Sequence, residues 1–148
     1  MSEDYLKKNT TRVLVVEDYE PFRRFTCSTL QKRRDLRIIC ESCDGPDAVQ
    51  KAQELRPDLI LLDIGLPQLN GIEVARRIRE HQPNSRIIFL TENRSPDIVE
   101  AALRTGATGY VAKSDASSEL LPALEAVLHD GWFVSASLAH RHRTGSLG

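Results

Sequence analysis

The amino-acid sequence predicts an α/β domain on a doubly wound parallel sheet, with helices on both faces, and three observations carry that expectation. Five short runs rich in β-branched and aliphatic residues recur along the chain. Segments of helical period alternate strictly with them. The first, third and fourth runs are nearly continuous in apolar character, which is the mark of strands covered on both faces rather than one. A parallel connection needs a crossover long enough to hold a helix, and each run is followed by one.

The elements follow in order. "RVLVVE" (Arg12 to Glu17) is the first predicted strand, and Phe22, Phe25 and Leu30 mark the apolar stripe of the helix after it. "LRIICES" (Leu36 to Ser42) leads to a stripe of Ala48, Val49, Ala52 and Leu55, ended by Pro57. "DLILLD" (Asp58 to Asp63) precedes Ile72, Ala75 and Ile78, with Pro83 and Asn84 as the stop. "RIIFLT" (Arg86 to Thr91) precedes Ile98, Ala101 and Ala102, closed by Gly106. "TGYVAK" (Thr108 to Lys113) leads to the cleanest stripe, Leu120, Leu124, Val127 and Leu128, closed by Gly131. Pro122 is expected either in the opening turn of that helix or at a kink. After Gly131 the sequence predicts one short helix and a loose basic end. Residues 1–11 read as an N-terminal extension, 12–131 as one domain, and 132–148 as a C-terminal extension or the start of a linker.

Composition narrows the function. A chain of 148 residues, 41% hydrophobic and 28% charged, is long enough for one well-formed core and short for two. A formal net charge of −1 offers no global field for collecting nucleic acid or anionic membrane. No stretch approaches the roughly 20 apolar residues of a membrane span, and the start "MSEDYLKKNT" lacks the apolar core of a secretory signal, so the cytoplasm is the expected compartment. An odd count of three cysteines fits a reducing interior.

The chemistry stands at the strand ends. The runs finish on Glu17 and Asp18, on Asp63, on Thr91 and on Lys113, spaced 45, 28 and 22 positions apart from Asp18 onward. In a parallel sheet those ends share one edge, and ligands bind there. Three carboxylates brought together repel unless a cation joins them. Oxygen-only ligands favour Mg²⁺, with Mn²⁺ as the alternative, beside a phosphoryl group. With a divalent ion and Lys113, three positive charges meet three negative ones. Asp63 is then a candidate nucleophile, with Lys113 and the Thr91 hydroxyl aimed at the transferring oxygens.

The ordered set "VEDYEPFRR", "LLDIGLPQLNGIEVARRIR", "IIFLTEN" and "GATGYVAKSDASSELLPAL" resembles the receiver domain of bacterial two-component response regulators, over roughly Arg12 to Gly131. The resemblance implies a flavodoxin-like, five-stranded sheet of order 2-1-3-4-5. It implies Asp63 as phosphoacceptor from a sensor histidine kinase, and Mg²⁺ held by Asp18, Asp63 and the carbonyl of Gly65, with Glu17 acting mainly through water. Thr91 and Lys113 would hold the phosphoryl group. Tyr110 would be an aromatic switch that turns inward when Thr91 moves. The altered face would span the fourth helix, fifth strand and fifth helix, roughly Ser95 to Gly131, with Val99 and Leu103 as candidate contacts for a homodimer or an effector.

Lys113 is followed by Ser114 rather than the proline frequent in receivers, and "GYVAKSDASSELL" is similar to the NarL/FixJ class. Members of that class usually continue into a helix-turn-helix DNA-binding domain, so the expected output is transcription, with DNA reached through such a domain and not by this chain directly. A further departure is Glu92, where receivers commonly carry a small residue; a carboxylate there is expected to alter access to the phosphoryl site or the lifetime of the phosphorylated state. It is also the one feature favouring a second reading, a stand-alone or phosphorylation-independent interaction module. A flavin-binding electron carrier of the same topology is disfavoured by the acids of "EDYEPF", which repel an anion. The Cys40/Cys43 C-x-x-C lies at a strand end, not a helix start, and reads as packing. Arg23, Arg24, Lys32, Arg33, Arg34 and Arg37 read as a solvated helix face, with a docking patch for a partner as the alternative.

Overall fold

Successive residues of a strand point to opposite faces of the sheet, so a strand apolar throughout must be covered twice. The computed structural model, which describes residues 10–138, shows this arrangement. Strands β1 (Thr11–Val16), β2 (Leu36–Ser42), β3 (Leu59–Leu62), β4 (Arg86–Thr91) and β5 (Gly109–Ala112) alternate with helices α1 (Glu20–Leu30), α2 (Gly45–Leu55), α3 (Gly71–His81), α4 (Pro96–Arg104) and α5 (Ala116–Leu128). Val13, Val15, Leu59, Leu61, Ile88, Leu90 and Val111 form one core with Leu30 of α1 and with Leu120, Leu124 and Val127 of α5. The intervening residues Leu14, Val16, Ile60, Leu62, Ile87, Phe89 and Tyr110 form the other, against α2, α3 and α4.

One expectation needs correction. The sheet has six parallel strands, in the order β2-β1-β3-β4-β5-β6, rather than five. Strand β6 (Phe133–Val134) is two residues long, too short to register as a periodic run in sequence. It pairs with Gly109 and Tyr110, anchored by Phe133 N–H donating to the Thr108 carbonyl (2.8 Å) and Ser135 N–H to the Tyr110 carbonyl (2.9 Å). The sheet therefore continues past residue 131, where the sequence reading stopped it. The Ser135 hydroxyl, 0% exposed, donates to Glu119 Oε1 (2.6 Å) and accepts from Ala112 N–H (2.8 Å). Residues 136–138 turn helical, and Leu138 joins the core. The basic end of the chain lies outside the described residues, as does most of the N-terminal extension.

Strand β2 is the opposite edge, half exposed and carrying the charged Arg37 and Glu41 outward. Local chemistry sets the helix ends. Asp44 and Asn70 cap α2 and α3 by accepting from Asp47 N–H (2.8 Å) and Glu73 N–H (3.0 Å). Gly106, at φ +92°, takes the left-handed turn that ends α4. Pro122 lies well inside α5, past the opening turn, and the helix continues to Leu128. Pro122 and Ser118 are both exposed, so the carbonyl that the missing N–H leaves free can be hydrated. Among the described residues no helix is long and apolar enough to cross a membrane.

Candidate functional site

The C-terminal ends of β1, β3, β4 and β5 open onto one cleft of about 540 Å³, lined by Asp18, Asp63, Thr91 and Lys113 together with Tyr19 and Glu92. Glu17 and Asp63 extend the parallel ladder past the assigned strands. Glu17 N–H donates to the Ser42 carbonyl (2.9 Å) and Asp63 N–H to the Val16 carbonyl (3.1 Å). This backbone pairing takes both acids into the protein, with Glu17 at 3% exposure and Asp63 at 5%, while Asp18 remains exposed. Lys113 opens a single 3₁₀ turn, Lys113–Asp115, directly after β5, so its side chain enters the cleft from the far side of β4.

The turn after β3 is held by a close backbone approach. Gly71 N–H donates to the Ile64 carbonyl (2.8 Å), and a Cβ on Gly71 would stand 2.0 Å from the Asp63 carbonyl oxygen. Only glycine permits that contact. Gly65 N–H donates to Asp63 Oδ1 (3.2 Å), which fixes one oxygen of the acid.

Lys113 Nζ lies 2.7 Å from Glu17 Oε1 and 3.5 Å from Asp63 Oδ2. It also lies 4.8 Å above the centre of the Phe22 ring. Burial pushes the Glu17 carboxyl up to about 7, and the neighbouring charge of Asp63 adds to the rise against the opposing pull of Lys113. Burial also works to lower the Lys113 ammonium, but its contact with Glu17 and the charges of Asp63, Glu17 and Glu92 outweigh that, and its pKa is raised. Lys113 therefore stays charged.

Oxygens of Glu17, Asp18 and Asp63 lie within 4.8 Å of one another. Three carboxylates against one ammonium leave a formal charge of −2, which a divalent cation balances. Glu17 Oε1 has no aligned hydrogen-bond donor despite its ion pair, so a ligand-capable lone pair is available in a buried position. With oxygen donors alone, this set fits a hard cation of the Mg²⁺ kind.

Thr91 and Tyr110 meet through a residue that the sequence reading passed over. Asn93 N–H donates to Thr91 Oγ1 (3.0 Å), and the Tyr110 hydroxyl donates to the Asn93 carbonyl (3.1 Å). Tyr110 is fully buried and faces inward, with its ring 6.1 Å from Phe89. Burial pushes its phenol up to about 12, against a smaller lowering by Thr91. Nothing in the local sequence marks Asn93, because its part is played by backbone atoms. Phe22 was legible only as one member of an apolar stripe.

Other expected features fall elsewhere. Val99 is 1% exposed and belongs to the core, and β5 is flanked by β6, so among the described residues the outer sides of α4 and α5 are what the face expected to make contacts leaves open. Cys40 and Cys43 are free thiols; Cys40 packs at the core margin and Cys43 is exposed. Three of the basic residues are paired with acids: Arg23 with Glu41, Arg24 with Glu20, and Arg33 with both Asp35 and Glu125.

Comparison with known proteins agrees with this geometry. Residues 13–125 match the family described as response regulator receiver domain. The chain is 33% identical over 113 residues to the response regulator protein VraR of Staphylococcus saprophyticus, covering 76% of this chain and 54% of that protein. It is 32% identical over 123 residues to the transcriptional regulatory protein LnrK of Bacillus subtilis, covering 83% and 56%. The chain thus spans about half the length of the curated relatives it matches. Among solved structures, a LuxR-family two-component response regulator from Aurantimonas sp. SI85-9A1 superposes with a TM-score of 0.88 at 29% identity, covering 94% of this chain and 99% of that one. The receiver domain of NarL from Mycobacterium tuberculosis gives 0.73 at 28%, covering 79% and 94%. Matched over residues 13–125, the chain belongs to the response regulator receiver domain family, with relatives of the NarL and LuxR kind.

Proposed function

We propose that this chain is a phosphorylation-dependent signalling switch in which Asp63 accepts a phosphoryl group from the phosphohistidine of a sensor histidine kinase in the cytoplasm. The observation that carries this reading is the buried Asp63 carboxylate standing 3.5 Å from the Lys113 ammonium and clustered with the carboxyl groups of Glu17 and Asp18. A carboxylate oxygen of Asp63 attacks phosphorus, the new O–P bond forms as the N–P bond breaks, and the electron pair leaves with the imidazole. Glu17, Asp18, Asp63 and the Gly65 carbonyl would hold Mg²⁺, which when bound supplies positive charge against the phosphoryl oxygens. Lys113 offers a second positive charge, and the Thr91 hydroxyl offers a hydrogen bond.

The output follows from what Thr91 gives up. Its oxygen now accepts from Asn93 N–H, and the next peptide group on, the Asn93 carbonyl, accepts from Tyr110. Movement of Thr91 toward a phosphoryl group therefore releases the segment leading into α4 and biases the face of α4, β5 and α5. That face would control transcription through a DNA-binding domain, or form a homodimer. Glu92, exposed at the cleft mouth, favours the second reading of an interaction module working without phosphate.

Incubation with acetyl phosphate and Mg²⁺, followed by intact mass measurement, separates the two. One phosphoryl group per chain is expected on the wild type and none on Asp63→Asn. Absence of uptake by the wild type, or equal uptake by Asp63→Asn, rejects the switch.

A further inference from the structure

Among the described residues Lys113 makes three close contacts, with Glu92 acting on it only through its charge, and two of the three are with acids that the site needs for something else. Glu17 and Asp63 take the ammonium at 2.7 and 3.5 Å, yet both belong to the cluster that fits a divalent cation. An acid that shares its charge with a metal holds a lysine less firmly. The third partner has no such competing demand. The Phe22 ring lies 4.8 Å from the ammonium, within the range at which the negative face of an aromatic ring attracts a cation. A benzene ring is no ligand for a hard, oxygen-seeking ion.

The ring is itself held in place. Phe22 sits in the first turn of α1, just after Asp18 and Tyr19, with Pro21 fixing the backbone before it. Phe25, one turn on, packs against it at 5.5 Å between centroids with a 42° tilt, and both rings lean on the core shared with α5. The ring therefore covers one side of the ammonium with apolar surface.

We propose that Phe22 is a positioning residue for phosphoryl transfer, its ring face keeping the Lys113 ammonium beside Asp63 when the neighbouring acids are engaged by the metal. The proposal rests on Asp63 being the phosphoacceptor. Phe22 touches neither the reacting atoms nor the metal and acts through Lys113 alone.

The test compares Phe22→Tyr, which keeps the ring, with Phe22→Leu and Phe22→Met, which keep apolar bulk without it. Loading from acetyl phosphate with Mg²⁺ is followed by intact mass, in wild-type and Lys113→Met backgrounds. The Lys113 side-chain methylene next to the ammonium is observed by NMR. Phe22→Tyr is expected to load within about twofold of wild type, and the Leu and Met variants about 3- to 10-fold more slowly, the weight of one partly buried cation–π contact. The methylene resonance loses its ring-current shift in the Leu and Met variants. In the Lys113→Met background, Phe22→Leu adds no further loss, because the cycle isolates the pair. Equal rates for Phe22→Leu, Phe22→Met and the wild type overturn the proposal, as does an unmoved methylene resonance or an undiminished Phe22→Leu effect in the Lys113→Met background. If the wild type itself takes up no phosphoryl group, the reading of Asp63 falls first and the proposal falls with it.

Discussion

Substituting Gly71 by alanine tests how far Asp63, the proposed acceptor, depends on a contact made by backbone alone. The added methyl would lie 2.0 Å from the Asp63 carbonyl oxygen, and 2.8 Å from both the Asp63 carbonyl carbon and the Ile64 Cα. All three are main-chain atoms of a buried turn, so no flexible side chain can swing aside. Separation must grow by about 1 Å to reach even 3.0 Å, a distance below which packed carbons are not found. That movement also strains the 2.8 Å hydrogen bond from Gly71 N–H to the Ile64 carbonyl. Overpacking of about 1–3 kcal/mol, together with about 1 kcal/mol for the damaged hydrogen bond, predicts a loss of roughly 2–4 kcal/mol. A 1 Å displacement of a reacting group costs on the order of 100-fold in rate, so loading of Asp63 should fall by about that factor. Urea unfolding measures the first quantity and acetyl phosphate loading, followed by mass, the second. A Gly71→Ala protein that unfolds within about 0.5 kcal/mol of wild type and loads at the wild-type rate would refute the reasoning, since it sits within ordinary surface-substitution scatter.

Other outcomes follow from one buried and one half-buried group away from the cleft. Ser135→Ala leaves the Ala112 N–H without its acceptor and Glu119 Oε1 without its donor, and should cost about 1–3 kcal/mol in urea unfolding. A change below about 0.5 kcal/mol would mean that the sixth strand stands outside the cooperative unit. Burial pushes the Cys27 thiol up to about 11, with the Glu41 charge adding to the rise, so raising the pKa removes thiolate at neutral pH. At pH 8 roughly one Cys27 in a thousand is thiolate, against roughly one in four for an ordinary thiol. Alkylation of Cys27 by iodoacetamide, read by peptide mass, should be slow at pH 8 and quicken about tenfold per pH unit up to about pH 11, because the thiolate is the nucleophile. A rate that levels off by pH 9 would contradict the burial argument.

Strand and helix alternation was legible because it is written in local periodicity. Val13 to Val16 and Leu59 to Leu62 need cover on both faces whatever surrounds them, and Pro57 and Gly106 stop helices by their own backbone chemistry, whereas the left-handed turn after α5 is taken by Asp130 (φ +63°) and not by the expected Gly131. The acids and the lysine could be assigned to one edge because parallel strands deliver their ends together. The exact partners could not be read in that way. Strand β6 exists because β5 offers it an unpaired edge, and its two residues carry no period of their own. Val99 reads as available for contact on a helix, but the packing of α4 places it in the core.

The sequence by itself determined which residues end each strand, and hence which charges must share one edge of the sheet. Tertiary structure alone decided how close those charges come and what stands between them: Gly71 against the Asp63 backbone, Asn93 between Thr91 and Tyr110, and Phe22 above Lys113. The reason is physical. Periodicity and capping act over a few residues along the chain, whereas packing distance depends on atoms that are neighbours in space, and Phe22 and Lys113 are 91 positions apart in sequence.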